Sequence, residues 1–174
     1  MRMPIELVKH LGEHAQRMQE FVSEDYSGLN DKERSELASE ARNISAWAAG
    51  AIAPMPIPFA DIWTITPVQM FMVRAIGNIY GYKIDKKTIK EVFAVVGGGI
   101  VGQQVCLALF KIGLPGAGGF GGAAFVWVWT HGMGHAAERY FQSGMKATKE
   151  QVEEARKNGM ELAKQEQELQ KDDV

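Results

Sequence analysis

Residues 92–137 read VFAVVGGGIVGQQVCLALFKIGLPGAGGFGGAAFVWVWTHGMGHAA. Nineteen residues from Val92 to Phe110 carry no charge, and after Lys111 a further 26, from Ile112 to Ala137, carry none. Each run is helix-length, and GLPGAGG at 113–119 breaks the chain between them. The alternation VWVW at 126–129 is too short to make a strand inside such a run. The stretch therefore predicts an apolar helical hairpin turned at Pro115.

Two environments suit this hairpin. A membrane span needs about 20 apolar residues, which either run supplies. Gly98/Gly102 and Gly118/Gly122 form a GxxxG pair on each side of the turn, so the two backbones can approach closely. Trp127, Trp129 and Tyr140 could supply an interfacial aromatic belt. Lysines flank the stretch at both ends (Lys86, Lys87, Lys90; Lys146, Lys149), so insertion would leave both ends cytoplasmic. A buried hairpin in a helical bundle uses small residues in the same way. Gln103 and Gln104, mid-run, need hydrogen-bond partners in either case, within the bundle or between subunits where they would fix register.

Outward from the hairpin the pattern stays helical. GAIAPMPIPFAD (50–61) places Pro54, Pro56 and Pro58 where no helix interior can continue, so the chain must turn there. Asp61 then caps the next helix through its free N–H groups, with Arg74 or Lys111 as alternative ion-pair partners. That helix is expected from about 59 to 80, kinked or restarted at Pro67 and ended by Gly81. Before the prolines, Val8, Leu11, Ala15, Met18 and Val22 form one stripe of an N-terminal helix. Asn30 with Glu33 makes a capping box for a second helix, with Leu37, Ala41, Ile44 and Ala48 as its stripe. Asp85 and Thr88 mark another start. A Thr148/Gln151 box opens a polar C-terminal helix whose thin stripe is Val152, Ala155, Leu162 and Leu169.

The fold class expected is all-α: a helical bundle of two apolar, glycine/proline-turned hairpins with amphipathic N- and C-terminal helices. The division expected is 1–26 for the N-terminal helix, 30–145 for the core and 146–174 for the polar C-terminal helix.

Composition narrows function. The 174 residues carry a formal net charge of −2, which gives no electrostatic case for nucleic acid. A single cysteine, Cys106, allows no intramolecular disulfide and no CxxC pair. The start of the chain is polar and amphipathic, without the pattern of a secretory signal. There is no GxxxxGK[ST] loop. GAGGFG at 116–121 matches GxGxxG, but a helix-length run precedes it where a dinucleotide site needs a strand, so these are packing glycines. The four histidines fall in two HxxxH pairs, His10/His14 and His131/His135. Four-residue spacing shares a helix face, and Glu138 extends the second pair to a possible two-His, one-carboxylate metal set. Polar packing is the alternative, since HGMGH lacks the HExxH glutamate. No nucleophile–base arrangement stands out, so no enzyme activity and no cofactor are expected.

The order PIPFAD, Pro67, Gln69 and Met70, IYG at 79–81, a glycine-rich apolar hairpin and AAERYFQSG resembles a bacterial family, the domain of unknown function numbered 697, over about residues 40–145. Members often follow Era-like GTPase domains. The resemblance implies a helical, membrane-associated module without established catalysis, here without the GTPase. The expectation is a non-enzymatic, membrane-associated or self-assembling module at the cytoplasmic side of the bacterial cytoplasmic membrane, with the cytoplasm as alternative. A homo-oligomer or the lipid membrane would be its partner, and a separate GTPase a further one. The competing readings are a soluble adaptor using the N-terminal helix and a metal-binding helical protein.

Overall fold

The computed structural model describes residues 5–52, 60–85, 87–97 and 118–172, and among these the chain is helical without strands. The helices are α1 (Ile5–Ser23), α2 (Asp31–Ile52), α3 (Ala60–Ile79), α4 (Thr88–Val96), α5 (Gly118–Gln142) and α6 (Lys149–Asp172). Pro54, Pro56 and Pro58, and the hairpin residues Gly98, Gly102, Gln103 and Gln104, lie outside the described residues. The fold is the all-α bundle expected.

The starts of α2, α4 and α6 each have a chemical cause. The Asn30 side chain accepts from the Glu33 N–H at 3.0 Å while the Glu33 carboxylate accepts from the Asn30 N–H at 2.9 Å. This reciprocal pair satisfies two donors that the first turn of α2 leaves over. Thr148 and Gln151 repeat it for α6, at 3.0 and 3.3 Å. Asp85 accepts from the Lys87 and Thr88 N–H groups ahead of α4, at 3.1 and 2.7 Å. At the far end of α3, Gly81 adopts φ +87°, and Tyr82 N–H reaches back to the Gly77 carbonyl at 2.8 Å. That is the left-handed termination for which glycine carries no Cβ penalty. α3 itself passes through Pro67 unbroken.

α5 is the central helix, packed against α6, α2 and α3, with α4 beside it. α1 lies on α3, burying Met18 and Phe21. There Asn78 donates to the carbonyls of Phe21 and Glu24, both at 2.9 Å, closing the end of α1. The main core joins Phe21, Met72, Ile76, Ile79, Phe93 and Phe141. Each side chain so buried contributes about 1.5–3 kcal/mol.

Three expected details change. The buried face of α2 is Ala38, Ala41, Arg42, Ser45, Ala46 and Ala49, so Leu37, Ile44 and Ala48 flank it half-buried. Small side chains let α5 come close, which outweighs the larger residues one position away. On α6 the buried stripe is Val152, Arg156, Gly159 and Ala163, whereas Leu162 and Leu169 are exposed. On α1, Ala15 is exposed and Phe21 takes its place in the core. Asp61 sits in the first turn of α3, and its side chain lies outside what the structure describes.

Glycine notches set the helix spacing. A Cβ on Gly159 of α6 would stand 2.5–2.7 Å from His135 of α5, and one on Gly132 would stand 2.9 Å from the Arg156 carbonyl. A Cβ on Gly134 would overlap the Arg42 stem. Gly118 and Gly122 open α5, and no described atom lies within 4 Å of a Cβ on Gly122. Among the described residues, close approach between α5 and its neighbours is seen at Gly132, Gly134 and Gly159.

Candidate functional site

Two features stand out, a buried ionic centre and an end of the bundle almost without charge. The centre is built where α2, α3 and α5 converge. Arg42 and Glu138 are each 6% exposed and joined in an ion pair, Nη1 donating to Oε2. Tyr80 donates its hydroxyl to the other oxygen, Oε1, at 2.9 Å, and Gln142 donates to the Tyr80 oxygen at 3.0 Å. Both carboxylate oxygens are thus engaged, the condition under which a buried pair holds against its desolvation cost. Burial, reinforced by the adjacent carboxylate, pushes the Tyr80 phenol up to about 12, so it stays a donor at all ordinary pH.

His135 and His131 lie about one and two turns before Glu138 on α5. Burial, then the nearby Arg42 charge, holds both imidazoles down to about 4. His131 packs against Trp127 with ring centroids 4.2 Å apart, and His135 fills the Gly159 notch. The carboxylate of Glu138, grouped by spacing with the two histidines, goes to Arg42 and Tyr80. Among the described residues no set of three His, Cys, Asp or Glu is placed to hold a metal ion. Chemically the centre is a neutral-imidazole, ion-paired cross-link between helices. Arg156 makes a second one: it pairs with Glu153, donates to the Val96 carbonyl at 3.4 Å and lies 5.5 Å over the Trp129 ring.

The opposite end is where Ala49, Ile65 and Val126 cluster with Val68, Ala123 and Phe125. Between 43 and 73 the only charged residue is Asp61, and between 118 and 137 there is none. Those stretches supply the ends of α2, α3 and α5 that meet here, and among the described residues α6 brings further charge alongside. Gln167 of α6 donates to the Ala124 carbonyl at 3.5 Å, placing its C-terminal half at this end. Among the described residues no helix is long and apolar enough to cross a membrane.

Sequence reading singled out Glu138 and the histidines but not Arg42, Tyr80 as a hydrogen-bond donor, or Gln142. Its available signal was an arginine inside the small-residue stripe 38–49 and one carboxylate closing a 26-residue uncharged run.

Fold and site together define a helical-bundle module with an ion-paired interior and a charge-poor end. The chain belongs to the family described as Domain of unknown function (DUF697), which matches residues 14–166, further in both directions than the resemblance read from sequence. It is similar to Magnetosome membrane protein 22 of Magnetospirillum gryphiswaldense, 29% identical over 75 residues, 41% of this chain and 38% of that protein. The match thus spans well under two thirds of that relative's length. No solved structure matches.

Proposed function

We propose that this chain is a non-enzymatic, membrane-associated helical module that meets the lipid surface with its charge-poor end. The carrying observation is the separation of charge along the bundle: α2, α3 and α5 bring one aspartate between 43 and 73, and nothing charged between 118 and 137, to one end. Removing such a surface from water is favourable at about 25 cal/mol per Å². A relative named as a membrane protein supports the reading. The module would act at the cytoplasmic side of the membrane, with a separate GTPase as a further partner.

Flotation of the full chain with liposomes tests it. The protein rises with the vesicles, and Ala51→Glu combined with Val68→Lys, both outside the main core, keeps it at the bottom while helical content is unchanged. Folded wild-type protein that stays at the bottom with every lipid composition refutes the reading. Self-assembly is the second reading, favoured by Leu162 and Leu169, 51% and 67% exposed and seven residues apart on α6. Sedimentation velocity showing only monomer would remove it.

A further inference from the structure

A groove of about 590 Å³ runs between α2, α5 and the C-terminal half of α6, beside the charge-poor end. It is lined by small residues, Gly50, Ala51 and Ala123, and by two indoles, Trp47 and Trp127. Trp47 is 40% exposed, a large aromatic surface left to solvent. Both rings are held by histidines: His14 meets Trp47 edge-on at 5.7 Å, and His131 lies against Trp127 at 4.2 Å.

The one charged residue on the groove is Glu166, exposed and without an ion pair among the described residues. Asn43 and Gln167 complete the polar side. Aromatic faces with a single carboxylate are the chemistry that recognises an organic ammonium. The cation is drawn to the ring quadrupoles and the carboxylate, while its methylene or methyl groups pack on the rings and the alanines. An anionic group would meet Glu166 and be repelled.

We propose that this groove binds the ammonium headgroup of a zwitterionic lipid, ethanolamine- or choline-type, with Trp47 and Trp127 as aromatic lining and Glu166 as counter-charge. The proposal rests on the membrane reading, because the groove adjoins the surface that meets lipid there. It also makes that reading specific: binding follows zwitterionic and not anionic lipid.

The test titrates the full chain with phosphatidylethanolamine or phosphatidylcholine vesicles, and with vesicles in which phosphatidylglycerol replaces them. In parallel, tryptophan fluorescence is followed with soluble phosphorylethanolamine. Zwitterionic vesicles bind more tightly, Trp47→Ala and Glu166→Gln each weaken that binding about tenfold, and Trp47→Phe retains most of it. Soluble phosphorylethanolamine changes the fluorescence of wild type and not of Trp47→Ala. Binding that rises with phosphatidylglycerol content, or that tightens in Glu166→Gln, overturns the proposal. Equal binding of all vesicles by wild type and both variants leaves the membrane reading standing and overturns the headgroup site. A response to phosphorylethanolamine that depends on Glu166, without any vesicle binding, overturns the lipid assignment and the membrane reading while retaining an ammonium site.

Discussion

Glu138→Gln keeps the shape of the buried centre and removes its negative charge. Arg42 then remains 6% exposed, its stem held in the Gly134 notch, with no carboxylate to answer its guanidinium. Losing one member of a buried pair costs about 3–5 kcal/mol. The upper part of that range fits here, because the notch prevents Arg42 from swinging out to water. Tyr80 can still donate to the new amide oxygen, so its bond of about 1 kcal/mol is retained. Arg42→Met and Glu138→Leu singly should each cost about 3–5 kcal/mol, whereas the double variant should come within about 1–2 kcal/mol of wild type. Urea unfolding followed by circular dichroism, with all four proteins at one pH and a common m-value, measures the cycle. A cost under about 1 kcal/mol for Glu138→Gln, or a double variant that loses the sum of the singles, would show that the pair does not hold the helices together.

Three further outcomes follow from the same geometry. Both buried imidazoles lie near 4, below the roughly 6.5 of an unfolded chain, so unfolding takes up protons between those values. Stability is therefore full above about pH 6.5 and declines toward pH 4, by up to about 1.4 kcal/mol per pH unit for each histidine; a pH series of unfolding midpoints that flattens in His131→Phe checks it. Gly159→Ala should destabilise by about 1–3 kcal/mol, since the new Cβ meets the ring and Cβ of His135 at 2.5–2.7 Å. Gly12→Ala, with nothing within 4 Å, should instead stabilise by about 0.5–1 kcal/mol, and thermal melts compare the two. Tyr80→Phe should cost about 1 kcal/mol in the same urea assay, far less than loss of the carboxylate it serves.

The helical class and its punctuation were readable because they are local. Asn30/Glu33 and Thr148/Gln151 each make their bonds within one turn, and a four-residue window contains all the chemistry. The centre was not readable in the same way. Arg42 and Glu138 stand 96 residues apart, and Tyr80 lies 58 residues before Glu138. Spacing alone grouped Glu138 with His131 and His135, its neighbours on one helix. The carboxylate turned instead to Arg42, the buried cation within ion-pair reach on α2. The stripe on α2 was misplaced by one position because leucine and isoleucine draw attention in a sequence, whereas alanine and serine decide how near another helix can come. Gly132 and Gly134 are the sites where α6 and Arg42 sit down on α5.

The Gly159 notch has a mechanical consequence. α6 grips α5 with a ring in a slot, not with a smooth greasy face. Sliding α6 by one turn, about 5.4 Å, would bring a side chain over the imidazole of His135 in place of the glycine. The His135 ring thus opposes a one-turn slide of α6 along α5 and fixes the register of the two helices.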